Sequence, residues 1–177
     1  MRIIAGYLGG RTFDSPHSFK THPMSDKIRG ALFNILGDIK ELTVLDAFAG
    51  SGALALEAIS RGAHSAVAID NDRSAQKIIA QNCKLLGLTR RVKCIAASAN
   101  AWLQTNPEAR FDLVLCDPPY NDLQPNLIAR LTTVLAPNGV FVVSWPGDQP
   151  SPTLPGLKLL SQHTYGDAQL LFFAHAG

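Results

Sequence analysis

The stretch Leu42-Thr-Val-Leu-Asp46-Ala-Phe-Ala-Gly50-Ser-Gly52 indicates which kind of fold to expect. Its first residues are mostly apolar and predict a short strand that ends at Asp46. Two glycines follow, and glycine allows both a tight backbone turn and the close approach of a ligand. A helical pattern then runs from about Gly52 to Arg61, and the first turn of such a helix presents free N–H groups. A strand, a glycine-rich turn and a helix in this order are typical of α/β proteins that bind ligands at the turn.

The rest of the chain alternates between strand and helix patterns. Further strands are predicted at Ala66–Asp70, Val92–Ala96, Phe111–Cys116, Val140–Ser144, Leu157–Thr164 and Ala168–Ala174. Helices are predicted between them, from Asp72 to about Gly87, around Asn100–Gln104 and over Leu123–Leu135. Strands that alternate with helices need right-handed crossovers, which give a parallel sheet with helices on both faces. The last two strands follow each other directly and predict an antiparallel hairpin at the edge of the sheet.

The N-terminal segment is organised differently. Residues Arg2–Phe13 predict a β-hairpin. Ser25 is the predicted N-cap of a helix that runs to about Leu36. The predicted apolar face of this helix consists of Ile28, Leu32, Ile35 and Leu36. We expect a single domain over residues 1–177, with residues 1–40 as an extension of it.

Length, charge and cysteine content restrict the class of protein. The chain has 177 residues, enough for one core that needs no disulfide or metal to be stable. Sixteen basic and 14 acidic residues give a net charge of +2, which alone does not identify a nucleic-acid-binding protein. Three cysteines without a C-x-x-C spacing and five scattered histidines predict neither a disulfide framework nor a metal site. No apolar run approaches about 20 residues and no secretory signal is recognisable, so we expect no membrane span.

Two polar positions at predicted strand ends indicate a nucleoside site. Asp46 ends the first strand of the alternating pattern, and Asp70 ends the next, 20 residues after Gly50. Ligands of open parallel sheets bind beyond the carboxyl ends of the strands, where a carboxylate can accept hydrogen bonds from both hydroxyls of a ribose. Gly50-Ser-Gly-Ala-Leu-Ala55 also matches the G-x-G-x-x-A motif of NAD-binding proteins. The pattern therefore leaves the adenosine ligand open, although the Asp46 carboxylate suits a cationic or hydroxyl-bearing ligand better than a pyrophosphate.

A third polar cluster, Asp117-Pro118-Pro119-Tyr120, follows the predicted strand Phe111–Cys116. Proline fixes φ, so the two prolines hold the Asp117 carboxylate and the Pro118 carbonyl as rigid acceptors. Tyr120 presents a flat face beside them. The arrangement suits an exocyclic amine on a planar base, because the acceptors take its hydrogens while the base stacks on the ring. Acceptors in this position orient the nitrogen for attack, and no strong base is required first.

Together these motifs resemble the S-adenosylmethionine-dependent amino-methyltransferases, which share a (D/N)-P-P-(Y/F/W) motif. The N-terminal third narrows the resemblance, because Met1–Gly6, Gly10-Arg11 and residues 21–36 are similar to the bacterial 16S rRNA guanine-N2 methyltransferase family. With Val44–Ala63 included, the resemblance covers nearly the whole chain. It implies a Rossmann-like class I methyltransferase fold, in which a seven-stranded, mostly parallel sheet has an antiparallel edge strand.

The resemblance also implies roles for individual residues. The site for S-adenosylmethionine, whose product is S-adenosylhomocysteine, would consist of Asp46, Phe48, Gly50, Ser51, Gly52, Asp70, Asn71, Ser98 and Asp117. The catalytic loop would be Asp117, Pro118, Pro119 and Tyr120. Substrate contacts are expected from Arg2, Arg11, His22, Ser25, Asp26, Arg29 and Tyr120. Four positions depart from the usual family pattern: His22 stands for Arg, Gly30 for Glu, Asp70 for Glu, and Ser98 for an acid or amide.

The implied partner is 16S rRNA, within an assembling or assembled small ribosomal subunit in the cytoplasm, and a monomer suffices for such a target. The target guanine must be unstacked for its amine to reach the methyl donor. Basic residues are unevenly distributed, since residues 73–107 contain six Lys or Arg and no acid. Such a segment either holds RNA phosphates or is an ordinary solvated helix face.

Three other functions remain open from the sequence. The same chemistry could act on adenine N6 in DNA or rRNA, or on a protein glutamine. An NAD-dependent oxidoreductase would use the Gly50–Ala55 turn but would leave the Asp117–Tyr120 cluster without a role. A non-catalytic RNA-binding relative is the third, and the intact Asp-Pro-Pro-Tyr cluster argues against it.

Overall fold

The computed structural model describes residues 1–16 and 23–177. Within them, one sheet is formed by seven strands: β1 (Thr43–Asp46), β2 (Ser65–Asp70), β3 (Val92–Ala96), β4 (Phe111–Cys116), β5 (Leu135–Pro146), β6 (Leu157–Tyr165) and β7 (Ala168–His175). Their order across the sheet is β3-β2-β1-β4-β5-β7-β6. Neighbours from β3 to β5 are parallel, and β7 is antiparallel to both β5 and β6. The α/β class and the mostly parallel sheet predicted from the sequence are confirmed.

The antiparallel strand lies one place further in than expected. The edge strand is β6, and the antiparallel β7 is inserted between it and β5. The reason is burial: β7 has five consecutive buried residues, Gln169–Phe173, whereas most residues of β6 are exposed or half-buried. A strand buried on both faces belongs inside a sheet, and a strand with a solvated face is suited to the edge.

The helices of the described chain connect these strands. They are α1 (Asp26–Leu36), α2 (Ala53–Ser60), α3 (Arg73–Leu85), α4 (Ala99–Thr105) and α5 (Pro125–Leu131), followed by a 3₁₀ turn at Thr132–Val134. Two predicted caps are confirmed: the Ser25 side chain accepts from the third residue of α1, and Asp72 accepts from the second and third residues of α3. α5 begins two residues later than predicted, because Pro125 suits the first position of a helix.

Both faces of the sheet are covered. α1, α2, α3 and the first residues of the chain pack on one face, where Leu32 and Ile59 are buried against Val44. α4 and α5 pack on the other face, where Trp102 and Ile128 share a core with the sheet. No helix in residues 1–16 and 23–177 is long and apolar enough to cross a membrane.

Residues 1–16, here called the N-terminal arm, are bound to α2 through their backbone. The amides of Ile4 and Ala5 donate to the two carboxylate oxygens of Glu57, at 2.8 and 3.1 Å. Because these amides point at α2, the predicted hairpin is reduced to one bridge, between Arg2 and Thr12. The carbonyl and amide of Ile3 still bond across to Gly10 and Arg11, so the chain reversal itself is confirmed.

Gly6 brings the arm into close contact with the end of α2. Its φ of 84° lies in the left-handed region, and a Cβ here would be 1.9 Å from the Ser60 carbonyl oxygen. Ser60 in turn donates from its hydroxyl to the Ala5 carbonyl at 2.6 Å and accepts from the Leu8 amide at 3.0 Å. The arm is therefore a packed layer of the fold.

Candidate active site

Three aspartates lie at the carboxyl ends of adjacent strands. Asp46 ends β1, Asp70 ends β2, and Asp117 directly follows β4. Since β1 lies between β2 and β4, and Asp46 pairs with Ala68 and Leu115, the other two aspartates each extend two residues beyond it. Two residues of strand correspond to about 7 Å. The three carboxyl groups therefore lie side by side along one edge of the sheet, the edge at which ligands bind in folds of this class.

The glycine-rich turn between β1 and α2 lies at the same edge. Gly50 and Gly52 have φ values of 56° and 81°, which residues with a side chain rarely adopt. Two hydrogen bonds fix the turn to β2: the Ala49 amide donates to the Ile69 carbonyl at 2.9 Å, and the Gly50 amide to the Asp70 carboxylate at 2.8 Å. A Cβ on Gly50 would have no atom within 4 Å, so open space adjoins the turn.

Asp46 is fully buried beneath this turn. Its Oδ2 accepts from the Ala55 amide at 3.2 Å, whereas no group in residues 1–16 and 23–177 donates to its Oδ1. Burial, and then the charges of Asp117 and Asp70, raise the pKa of Asp46 to about 7, against the effect of the Ala55 bond. A buried acceptor without a donor is unfavourable in isolation. It indicates a ligand that brings a donor to Asp46.

Among residues 1–16 and 23–177, no cation balances the charges of the three aspartates. Across the described ranges, none of them forms an ion pair with Lys, Arg or His; the ion pairs there involve Asp26, Glu41 and Glu57. Carboxyl groups held together without cations suit a ligand that carries positive charge. A pyrophosphate would add negative charge to this edge.

Asp70 is held rigidly and still has acceptor capacity. Its Oδ2 accepts from the Gly50 amide and its Oδ1 from the Asp72 amide at 2.9 Å. A carboxylate oxygen has two lone pairs, so each retains one acceptor position for a ribose hydroxyl. Burial raises the pKa of Asp70 and the Asp72 charge adds to this, while the two amide bonds oppose it. The neighbouring Asn71 is exposed.

The loop Asp117–Tyr120 presents two acceptors and one aromatic ring. Asp117 is half-buried, and Tyr120 is 41% exposed. Burial raises the pKa of Asp117 to about 6, and hydrogen bonding with Ser144 opposes that rise. Pro118 is buried, and no donor in the described part of the chain bonds its carbonyl, so the acceptor role of this carbonyl stays a prediction.

Ser144, two residues before the end of β5, is a candidate site residue that the sequence analysis did not identify. The Tyr120 hydroxyl lies 2.9 Å from the Ser144 Oγ and 3.0 Å from the Trp145 carbonyl oxygen. The Tyr120 hydroxyl can donate to the Ser144 oxygen, which leaves the Ser144 hydroxyl proton available to Asp117. Alternatively, the Tyr120 hydroxyl donates to the Trp145 carbonyl, and the Ser144 hydroxyl donates to the Tyr120 oxygen. The β4–β5 register places Ser144 beside Asp117. A polar residue at the end of a strand next to the Asp-Pro-Pro-Tyr strand is the signal that could have found it.

Other predicted cofactor residues have contacts within the protein. The Ser51 carbonyl accepts from the buried Asn82 side chain at 3.2 Å. Phe48 is half-buried against the core beneath α4 and α5. Ser98 is the N-cap of α4, where its Oγ accepts from the Ala101 amide at 3.1 Å. The ligand contacts expected of Ser51, Phe48 and Ser98 remain predictions.

Arg29, predicted to contact the substrate, is fully buried, and that prediction is wrong. Its guanidinium donates to the Arg2 carbonyl at 2.5 Å and to Asp26 at 3.0 Å, and lies 3.5 Å from Glu57. Glu57, which the sequence analysis passed over, is also fully buried and forms a second ion pair with Arg61 at 2.8 Å. Arg29 therefore joins α1, α2 and the N-terminal arm and has no surface left for RNA.

The other predicted substrate residues near α1 are accessible. Arg2 and Asp26 form an ion pair at 3.1 Å, with their side chains 63% and 45% exposed. Burial would raise the pKa of Asp26, but the hydrogen bonds and charges of Arg2 and Arg29 hold it below its usual value. Ser25 caps α1. Substrate contacts by Arg2, Ser25 and Asp26 remain predictions, and His22 lies outside the described residues.

Arg11 lies away from the aspartates. Its guanidinium donates to the Leu85 carbonyl at 3.3 Å, at the C-terminal end of α3. Because α3 begins directly after Asp72, at the edge that holds Asp70, its 13 residues separate Arg11 from that edge by about 20 Å. Any ligand that Arg11 contacts there is therefore remote from the three aspartates.

Comparison with known proteins identifies the family. A family model described as Conserved hypothetical protein 95 matches residues 1–174. The chain belongs to this family. It is 31% identical over 172 residues to Ribosomal RNA small subunit methyltransferase D of Haemophilus influenzae, covering 94% of this chain and 89% of the relative. It is 37% identical over 142 residues to the protein of the same name from Escherichia coli, covering 78% of this chain and 68% of the relative.

Solved structures agree with the sequence relatives. The structure "Putative methyltransferase yhhF from Escherichia coli" matches with a TM-score of 0.88 and 29% identity, over 99% of this chain and 97% of that one. These comparisons confirm the resemblance to the rRNA methyltransferase family and the class I methyltransferase fold.

Proposed function

We propose that this protein transfers a methyl group from S-adenosylmethionine to the exocyclic N2 amine of a guanine in 16S rRNA. The observation that carries the proposal is the Asp117–Tyr120 loop, whose acceptors and anchored aromatic ring lie beside aspartates that form no ion pair with any cation of the described residues. Relatives named small-subunit rRNA methyltransferases support the choice of substrate class. They also favour methyl transfer over the nicotinamide-dependent alternative.

The residues at the sheet edge fit S-adenosylmethionine, which supplies an electrophilic methyl group on a positively charged sulfur. Asp70 has the acceptor positions that two ribose hydroxyls require, and it is fixed by the Gly50 and Asp72 amides. Asp46 offers a buried acceptor that lacks a donor within the described residues. The open space beside Gly50 leaves room for the nucleoside.

The loop then positions the guanine. Asp117 and the Pro118 carbonyl accept the two hydrogens of the amine, and the Tyr120 ring stacks on the base while Ser144 and Trp145 hold its hydroxyl. Attack by the amine on the methyl carbon would form the N–C bond as the S–C bond breaks, so that S-adenosylhomocysteine would leave and the positive charge would pass from sulfur to nitrogen. Asp117, with a pKa of about 6, is placed to accept the proton that this nitrogen loses. Alignment of the reacting atoms supplies most of the rate enhancement.

The rRNA context sets further expectations. A paired guanine cannot present its N2 amine to Asp117, so the base must be flipped out of its stack. We place the reaction in the cytoplasm, on an assembling or assembled small subunit, with one copy of the chain sufficient for each target.

The role of Asp117 can be tested with a charge-matched control in the same loop. Asp117→Ala is expected to lose at least about 100-fold in kcat, because it removes an acceptor at the reacting amine. Binding of S-adenosylhomocysteine, measured by calorimetry, should stay within about threefold of the wild-type value. Asp122→Asn, at an exposed carboxylate two residues after Tyr120, should retain full activity. Equal losses of binding and activity in Asp117→Ala would contradict this role.

The substrate can be tested independently of the residue roles. Tritium transfer from labelled S-adenosylmethionine should occur to immature small subunits or 16S rRNA, and not to duplex DNA or to protein. Mass mapping of 16S rRNA from a strain lacking the gene should show the loss of one N2-methylguanosine. A complete set of N2-methylguanosines in that strain would refute the guanine assignment, and label on DNA or protein would support a different amine.

A further inference from the structure

The exposed face of α3 carries a straight row of basic side chains. Arg73, Lys77 and Lys84 are all exposed, whereas Ala75 and Asn82 on the opposite side of the helix are buried. At 3.6 residues per turn, positions four and eleven residues after Arg73 lie within about 40° of it around the helix axis. The three charges therefore form one line along the helix, directed away from the core.

Arg11 of the N-terminal arm extends this row beyond the end of α3. Its guanidinium is exposed and is fixed near the last turn by its bond to the Leu85 carbonyl. Lys84 precedes Leu85, so two cations from separate segments of the chain meet there. The row consisting of Arg11, Arg73, Lys77 and Lys84 is called the α3 ridge below.

No acid among the described residues forms an ion pair with a member of the α3 ridge. Within residues 1–16 and 23–177, none of its four members forms an ion pair, although Arg2, Arg29 and Arg61 are all paired with Asp or Glu. Residues 73–107 hold six basic residues and no acid, which leaves ten basic and 14 acidic residues, a net charge of −4, in the rest of the chain. The small net charge of the chain thus includes a strongly basic segment, residues 73–107, as expected for a protein with a phosphate-binding face.

The ridge begins at the active site. Arg73 is three residues from Asp70, at the edge of the sheet that carries the proposed cofactor site, and the helix runs from there for about 20 Å to Arg11. A nucleic-acid strand whose base is held at Asp117 can therefore continue across α3. The exposed side chains of a helix present charges at intervals along such a path without reading sequence.

We propose that the α3 ridge binds the phosphate backbone of the rRNA that flanks the target guanine. This inference rests on the proposed function, because it takes RNA as the substrate. In this proposal the α3 ridge contributes affinity for the RNA and orients it, and the loop at Asp117 selects the base. It also gives Arg11 a role that fits its position.

The proposal can be tested with two double variants of equal charge. Lys77→Gln with Lys84→Gln removes two ridge charges, and Lys40→Gln with Lys158→Gln removes two exposed charges from other elements. Binding to transcribed 16S rRNA and to immature small subunits would be measured over a series of salt concentrations. Each lost phosphate contact should lower the slope of log affinity against log salt by about 0.7–0.9, and the ridge variant should bind about tenfold more weakly. KM for RNA should rise by a similar factor, with kcat and S-adenosylhomocysteine binding unchanged.

The outcomes separate this proposal from the proposed function. If the wild-type protein methylates rRNA and the ridge variant binds with an unchanged slope, the ridge proposal is overturned and the function stands. An equal change of slope in the control variant also overturns the ridge proposal. If the ridge variant loses binding to subunits but not to naked rRNA, the ridge proposal is overturned in favour of contact with a ribosomal protein. If the wild-type protein binds RNA through the ridge but transfers no methyl group to it, the proposed function fails alone. If it does not bind RNA at all, both are refuted.

Discussion

At the scale of single residues, the hydroxyl of Ser144 connects the aromatic ring and the carboxyl group of the proposed active site. Ser144 has one proton, which it can direct either to Tyr120 or to Asp117, and its bonding opposes the rise in the pKa of Asp117. Ser144 acts on the substrate only through these two side chains and is a positioning residue. Its effect should therefore be visible in how activity depends on pH.

Ser144→Ala is expected to lower kcat about fivefold, the equivalent of one hydrogen bond worth about 1 kcal/mol. Because the lost bond holds the pKa of Asp117 down, the acidic limb of the pH–activity profile should move to higher pH. Affinity for S-adenosylhomocysteine should stay within about twofold. Ser161→Ala in β6 is the control for the loss of a serine hydroxyl, and its profile should match the wild type. An unshifted profile in Ser144→Ala would disprove the link to Asp117.

At the scale of elements, the buried ion cluster of Arg29 and Glu57 attaches α1 and the N-terminal arm to α2. Arg29 and Arg2 both pair with Asp26, but the Arg29 side chain is buried and that of Arg2 is 63% exposed. The removal of one arginine charge can therefore be compared at a buried position, Arg29, and at an exposed one, Arg2. Breaking a buried ion pair leaves an uncompensated charge, whereas an exposed pair contributes little.

Arg29→Ala should reduce the free energy of unfolding by about 3–5 kcal/mol, because the buried Glu57 would lose its one fully buried cationic partner and keep only the half-buried Arg61. Arg2→Ala should reduce it by less than about 1 kcal/mol. Both free energies of unfolding are measured by urea denaturation that is monitored by circular dichroism. Similar small losses in the two variants would mean that the arm is not held by this cluster.

The elements also show what local sequence patterns can and cannot predict. The caps at Ser25 and Asp72 and the alternation of strands and helices were predicted correctly, because they depend on neighbouring residues. The buried face of α1 was predicted with an error: Ile35 is on the exposed side, and Arg29 and Phe33 are buried. That face is determined by Glu57 and the arm, which contact α1 from distant parts of the sequence. Residues that meet only through tertiary packing have no local signal.

At the scale of the whole molecule, the crossover rule was sufficient to bring the site together from the sequence. Asp46, Asp70 and Asp117 are up to 71 positions apart along the chain, yet parallel strands place them at one edge of the sheet. Ser144 reaches that edge by the same rule and could have been predicted. The α3 ridge was only half predictable, since the charge run is local but the addition of Arg11 depends on where the arm packs.

The clustered carboxyl groups are expected to couple binding of the proposed cofactor to pH. Asp46 and Asp117 have pKa values of about 7 and 6, above the 3.8 of a free aspartate, so the folded protein retains protons that an unfolded chain would release. Both groups therefore favour the folded state at low pH and progressively oppose it as the pH rises towards 7. A cationic ligand reverses this penalty, because it pairs with the ionised carboxylates. Binding of such a ligand must then release protons between about pH 5 and 7.

The affinity for S-adenosylmethionine should accordingly rise by about tenfold or more between pH 5.5 and 7.5, measured by calorimetry in buffers of different ionisation enthalpy. S-adenosylhomocysteine lacks the positive sulfur, so its affinity should rise less and fewer protons should be released. Asp46→Asn cannot ionise and serves as the control: the pH dependence should be reduced, and its unfolding free energy relative to wild type should increase from pH 5 to pH 8. If both ligands bound with the same pH dependence, the carboxyl cluster would not be sensing the charge on sulfur. The methyl donor and its product differ by that one charge, so the same cluster that attracts the donor also weakens the hold on the product once the methyl group has left.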